Sequence, residues 1–191
     1  DVYQFKSALQ TKLDFELSTA EEIVAICCSV RPQLATLVPE RREEVTTEGG
    51  LNAIQSGTRL KNVIPRLLDA GVKDVALFID PDLDQIDEAA RLGATAIELH
   101  TGDYANARTD ADKLFILDRF KLATQRAHEN GLVVHAGHGL DYANYTTFGK
   151  SVPHIEEVSI GFAIIARSLF IGLRSAVAEM NHLVTTSSYD G

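Results

Sequence analysis

The sequence predicts an α/β protein of the (β/α)8 TIM-barrel type, present as about six βα units, and three observations carry that expectation. Short apolar runs alternate with amphipathic stretches of ten or more residues, a pattern of parallel βαβ units rather than of hairpins. No G-x-G-x-x-G follows a predicted strand, which weighs against an open dinucleotide-binding sheet. Polar residues able to do chemistry gather at the carboxyl ends of the predicted strands, where a barrel assembles its site.

Each element follows from local pattern. Val2, Phe5 and Leu9 recur at helical spacing, so residues 1–12 read as the end of an amphipathic helix with no strand before it. KLDFEL (12–17) reads as a strand, and Ser18, Thr19, Glu21 and Glu22 offer two overlapping capping boxes for a helix to about Ser29. LATLVP (34–39) is the next strand, followed by the charged loop ERREEVTTEGG (40–50) and a helix from about Gly57 to Ala70 that Gly71 stops. DVALFI (74–79) is a strand; Asp82 and Gln85 suit the start of a helix that buries Ile86, Ala89 and Ala90 and ends at Gly93. TAIELH (95–100) leads through a loop to about Asp112, and Ile116, Phe120, Ala123 and Ala127 give a helix stripe closed by Asn130-Gly131. VVHAGHGL (133–140) holds the fifth strand and EVSIG (157–161) is the sixth, with a short helical piece and a terminal helix through about Val184 after it.

At 191 residues and 45% hydrophobic content, the chain supports one core, and residues 1–191 read as a single barrel domain. A formal net charge of -9 argues against nucleic acid or an anionic membrane as partner. No apolar run reaches the roughly 18 residues of a membrane span, and no signal-peptide pattern is present. Cys27 and Cys28 are adjacent and alone, which fits neither a disulfide framework nor a metal knuckle and points to a reducing, cytoplasmic setting. Both read as small buried hydrophobes on a helix.

The candidate site residues lie at strand ends. Glu16 sits near the end of the first strand between Phe15 and Leu17, apolar surroundings that would raise its pKa and suit it to acid–base work; the other reading is an internal salt bridge. Glu98 has the same two readings. Asp80 follows the third strand, Glu98 and His100 end the fourth, and Thr46 and Thr47 lie in the long loop, whose length suits a binding lid. His138 stands between Gly137 and Gly139, where no neighbouring Cβ shields it, although a lone G-H-G is also an ordinary turn. His100 and His135 read as structural, each with a ring nitrogen satisfied by a strand-end backbone group. In SIGFAIIA (159–166), Gly161 between strand and helix leaves backbone N–H groups free for an anion; Arg167 reads as an exposed helix arginine.

The segments LVPERREEVTTEGGL, LFID, IELHTGDYA, HAGHGL and VSIGFAII, in that order, resemble the pyridoxine 5'-phosphate synthase family of vitamin B6 biosynthesis, and the likeness runs over essentially the whole chain. The resemblance implies a (β/α)8 barrel that joins 3-amino-2-oxopropyl phosphate to 1-deoxy-D-xylulose 5-phosphate and releases phosphate and water. It implies no organic cofactor and no metal, two phosphorylated small-molecule partners, and a homo-oligomer, an octamer in the family. By resemblance Glu16 is the proton acceptor, His138 the proton donor and Glu98 the residue that stabilises the transition state. Thr46 resembles a residue that binds deoxyxylulose phosphate, and Gly139, Gly161 and Phe162 the site for the aminoketone phosphate. The family carries a histidine where this chain has Phe162. Its first two strands also carry an Asn-x-Asp-His segment, a catalytic histidine and substrate-binding arginines that no stretch here matches. The expectation is therefore a barrel about one quarter short of the usual ~250 residues, with exposed strand edges. A non-catalytic remnant or phosphate-ligand-binding barrel is the alternative.

Overall fold

In the computed structural model, residues 1–41, 44, 49–187 and 189 are described. A single sheet of six parallel strands in the order β1 to β6 is formed by β1 (Asp14–Leu17), β2 (Leu34–Leu37), β3 (Asp74–Ile79), β4 (Ala96–His100), β5 (Val133–Gly137) and β6 (Ile155–Ser159). Helices α1 (Val2–Ala8), α2 (Glu21–Val30), α3 (Gly57–Asp69), α4 (Leu83–Arg91), α5 (Gly102–Asn106), α6 (Asp110–Glu129), α7 (Tyr145–Ser151), α8 (Phe162–Ile171) and α9 (Leu173–Thr186) intervene. Consecutive strands that are all parallel neighbours, each joined by a helical crossover, make a partial (β/α) barrel.

Strand alternation sorts the side chains onto two faces. Ala35, Leu37, Val75, Leu77, Ile79, Ile97, Leu99, Val134 and Ala136 point to the helices and join Ile64, Ile86, Phe120 and Phe148 in the main core. The register pairs Glu16 with Thr36, Phe78 with Glu98, Glu98 with His135 and His135 with Glu157, and in parallel strands paired residues share a face. That other face is polar towards the carboxyl ends, while Leu34, Ala76 and Ala96 form a small apolar layer beneath. Lys12, just before β1, pairs with Glu157 on β6, so the two edge strands approach one another.

The sequence-based boundaries hold where a punctuating residue sets them. Asp82 Oδ1 accepts the N–H groups of Asp84 and Gln85 at the start of α4. Gly71, Gly93 and Gly131 take φ of 99°, 86° and 74° behind α3, α4 and α6, the left-handed conformation glycine adopts most cheaply. Other expectations need correction. The capping boxes are not used: Ala20 caps α2, and Ser18 Oγ accepts only the N–H of Ala20, which spends its acceptor on a local turn. The first helix ends at Ala8 and buries nothing, with Phe5 and Leu9 exposed. The loop after β4 contains α5, and α6 begins at Asp110 with Thr109 as its cap. The last strand ends at Ser159, so Gly161 caps α8 instead of closing β6. On α8 itself Phe162, Leu169 and Phe170 are exposed.

Candidate active site

Three strand ends bring Glu16, Glu98 and His138 together. The Nε2 of His138 lies 3.7 Å from an Oε1 of Glu16 and 3.7 Å from Oε1 of Glu98. Glu16 and His138 are partly open to solvent, whereas the Glu98 side chain is 0% exposed and, among the described residues, neither of its carboxylate oxygens has a hydrogen-bond partner. Gly137 makes the space for it, since a Cβ there would collide with the Glu98 carboxylate. The three ligand atoms fall within 4.8 Å of one another, close enough also to hold a metal ion.

The backbone after β5 explains how His138 reaches this position. Thr101, buried behind β4, donates its hydroxyl to the Gly137 carbonyl at 2.6 Å and accepts the N–H of Gly139 at 2.9 Å. Between those two anchors His138 adopts φ 78°, which costs a non-glycine residue about 1 kcal/mol or more. Gly139 is required on its far side, because a Cβ would stand 2.6 Å from the Thr101 carbonyl oxygen. The Gly139 N–H is therefore engaged within the turn. The ring of His138 stacks on Phe78 with centroids 4.2 Å apart, a contact hidden in the sequence inside the apolar run DVALFI.

The electrostatics separate the two glutamates. Facing His138 holds Glu16 below the ordinary glutamate range, outweighing its partial burial; the rise expected from its apolar sequence neighbours does not occur. Burial instead pushes Glu98 up to about 7, although the His138 charge acts in the opposite sense. His138 is raised, chiefly by Glu16 and further by Glu98, against its own desolvation. The arrangement favours an ionised Glu16, shifts His138 towards its charged form and leaves Glu98 near its midpoint at neutrality, which separates acid from base.

Beside this group lies an open cavity of about 480 Å³ lined by Glu16, His138, Ser159, Ile160, Gly161 and Phe162. A smaller one of about 120 Å³ runs on between His138, Gly139 and the start of α8. There the first-turn N–H groups of Phe162 and Ala163 have no acceptor within the helix. Phe162 is 89% exposed. A larger cavity of about 640 Å³ between Arg41, Glu44 and Arg59 shares no residue with the acid–base group.

Thr46 and Thr47 lie outside the described residues. Asp80 is buried and pairs with His100, at 3.3 Å from its Nδ1, a side-chain partner where a backbone one was expected. His135 is buried, and desolvation lowers its pKa. Arg167 is tied to Glu179 at 2.9 Å, away from any anion-binding role. Cys27 is buried, whereas Cys28 is only partly so.

Fold and site together define a parallel (β/α) barrel of the enzyme type, with two glutamates and a histidine gathered at its strand ends. The family described as pyridoxal phosphate biosynthesis protein PdxJ matches residues 1–186, and the chain belongs to that family, whose members close the pyridoxine ring. It is 54% identical over 98% of its length to a pyridoxine 5'-phosphate synthase of Salinibacter ruber, covering 77% of that protein. A pyridoxine 5'-phosphate synthase of Magnetococcus marinus is 45% identical over 96% of the chain and is covered over 75% of its own length. Among solved structures, the native KDPGal structure superposes with a TM-score of 0.57 at 14% identity, over 96% of this chain and 74% of that one. A HpcH/HpaI aldolase/citrate lyase family protein of Burkholderia cenocepacia gives 0.56 at 11%, over 98% and 81%; these likenesses concern the fold. Among the described residues no helix is long and apolar enough to cross a membrane.

Proposed function

We propose that Glu16 and His138 perform the proton transfers of pyridoxine 5'-phosphate synthesis in this chain, with Glu98 stabilising charge that develops between them. The observation that carries this is the placement of one imidazole nitrogen 3.7 Å from both carboxylates, at the edge of a cavity large enough for a small phosphorylated substrate. Joining 3-amino-2-oxopropyl phosphate to 1-deoxy-D-xylulose 5-phosphate requires amine–ketone condensation, loss of water and phosphate, and aromatisation, each of which moves protons. An ionised Glu16 accepts a proton from carbon or nitrogen. A charged His138 delivers one to a departing oxygen. Glu98, poised near neutrality by burial, offers either an acid proton or a negative charge opposite a cationic intermediate.

The two phosphates need sites of their own, and the start of α8 at Gly161 and Phe162 suits one of them, since its free N–H groups point where an anion gains from the helix dipole. Gly139 contributes by close approach, its own N–H being committed to Thr101. Thr46 belongs to the other phosphosugar in this reading. The same reading makes the protein a cytoplasmic homo-oligomer, which light scattering would measure.

The test is to supply both substrates and follow pyridoxine 5'-phosphate by absorbance. Glu16→Gln and His138→Asn are each expected to lower turnover by at least a hundredfold; turnover unaffected by either removes the assigned roles.

A further inference from the structure

Beside the acid–base group, at the ends of β3 and β4, lies a pair of side chains that the chemistry above does not use. Asp80 is 3% exposed. Its Oδ1 stands 3.3 Å from Nδ1 of His100 and accepts the backbone N–H of Gly50 at 3.2 Å. Gly50 is the last residue of the charged loop, and it is seated tightly: a Cβ there would lie 2.5 Å from the Asp80 nitrogen and 2.8 Å from the Ile79 carbonyl carbon. Both are main-chain atoms, which cannot swing aside. The next N–H, of Leu51, donates to the Phe78 carbonyl at 2.7 Å, so this stretch runs along the end of β3 like an added strand. Gly49, at φ 118°, would bring a Cβ within 3.2 Å of the His100 ring. The far end of the loop thus rests on Asp80 and His100 together.

The His100 ring also reaches the residues around His138. It meets Phe78 edge-on, with centroids 5.2 Å apart, and Phe78 carries His138 on its face at 4.2 Å. His100 and His138 are themselves 6.4 Å apart and nearly perpendicular. A side chain packed between the loop end and the platform under His138 is placed to transmit the position of one to the other.

We propose that Asp80 and His100 form a positioning pair that seats the end of the charged loop and, through Phe78, holds the His138 imidazole in line with Glu16 and Glu98. The proposal rests on the acid–base role assigned above to His138. A carboxylate at Nδ1 selects the tautomer that carries its proton there. The fixed ring then abuts Gly49 and meets Phe78 in a T-shaped contact. Neither residue is asked to touch substrate.

The test uses the whole chain and reads structure and kinetics separately. His100→Leu removes the Nδ1–H and is expected to lower kcat about tenfold, to speed hydrogen exchange at the Gly50 N–H, and to move the His138 ring resonances. His100→Asn returns an amide N–H to the Nδ1 position and is expected to restore most of all three. Asp80→Asn removes the carboxylate charge without changing volume and is expected to shift the His100 nitrogen-15 resonances away from the Nδ1–H pattern. Unchanged Gly50 exchange and unchanged His138 resonances in His100→Leu would overturn the proposal, as would a His100→Asn protein no better than His100→Leu. If His100→Leu does not fold, the same exchange and resonance readings on Asp80→Asn decide it. The exchange and resonance readings do not need turnover, so they separate this pair from the assignment of His138, which an active His138→Asn protein would remove.

Discussion

The imidazole of His138 lies nearly parallel to the ring of Phe78, with centroids 4.2 Å apart and planes inclined by 28°, while its Nε2 points between two glutamates. The stack fixes the ring plane and leaves the nitrogen edge free for the carboxylates. A cation over an aromatic face gains on the order of 1 kcal/mol. Phe78→Leu is therefore expected to lower the His138 pKa by about half a unit or more and to reduce turnover. Proton NMR titration of the ring measures the first effect, and an unmoved titration would remove Phe78 as a contributor.

Glu16 is the main cause of the raised His138 pKa. Neutralising it removes the partner that favours the imidazolium, so in Glu16→Gln the imidazole must lose its proton at a lower pH. Glu98 cannot replace that effect fully, because its own ionisation is shifted to about 7. The pH at which His138 titrates should fall in this variant, and the alkaline limb of any residual activity should fall with it. A titration at the same or higher pH contradicts the assigned pairing.

The buried carboxylate of Glu98, which faces His138 at 3.7 Å without a hydrogen bond among the described residues, should cost stability. Its folded-state pKa of about 7 lies above the ordinary glutamate value of 4.5, so the folded chain holds this proton more tightly than the unfolded one. The contribution to stability is fully present below the unfolded value and is lost as pH rises through the folded one. Glu98→Gln should therefore gain stability relative to the parent as pH climbs from about 4.5 to about 7. The gain at pH 8 is on the order of 3 kcal/mol. Urea unfolding of both proteins at pH 4 and pH 8 measures it, and a difference that does not grow with pH refutes the account. The same substitution removes the carboxylate proposed to stabilise charge during the reaction, so stability and turnover should move in opposite directions.

Two glycines two residues apart should respond differently to alanine. At Gly139 the added methyl meets the Thr101 main chain, so Gly139→Ala is expected to cost about 1–3 kcal/mol and to disturb the turn that carries His138. At Gly137 it meets the Glu98 side chain instead, which can shift. Gly137→Ala should thus lose activity out of proportion to stability. Equal stability losses in thermal unfolding would remove this distinction.

Much of this was legible in the sequence where one residue decides the outcome locally. DVALFI forms β3 over the expected residues, Asp82 caps α4, and three glycines end their helices with positive φ. Glu16, Glu98 and His138 stood out by their places at strand ends, but each also carried a structural reading there, and it was the family resemblance that gave them roles. What was not legible depends on partners distant in the chain. Phe78 hides among its apolar neighbours, and its value lies in a ring brought from β5. Asp80 and His100 are twenty residues apart, and only strand register pairs them. The last strand runs Ile155–Ser159, and its register on β5 shifts between Val134 and His135, which no local signal marks. Glu16 was misjudged electrostatically because its sequence neighbours are apolar, whereas its spatial neighbour is His138.

The start of α8 offers the sharpest test of phosphate binding. Gly161 caps the helix at φ -106°, and nothing lies within 4 Å of where its Cβ would be. Gly161→Ala should therefore fold and bind normally, since the backbone N–H groups are retained. Phe162 is 89% exposed beside the same cavity, so replacing it forfeits little packing, within about 0.5 kcal/mol. Phe162→His places an imidazole next to those N–H groups. An imidazolium adds a charged donor to an anion site, so inorganic phosphate should bind severalfold more tightly at pH 6 than in the parent, with the advantage shrinking at pH 8 as the ring loses its proton. Calorimetric titration with phosphate at both pH values reads this directly. An advantage equal at both values would mean that the ring acts by shape. No advantage at either would mean that the anion sits on the helix N–H groups beyond reach of the side chain at 162, and the backbone alone would then account for binding.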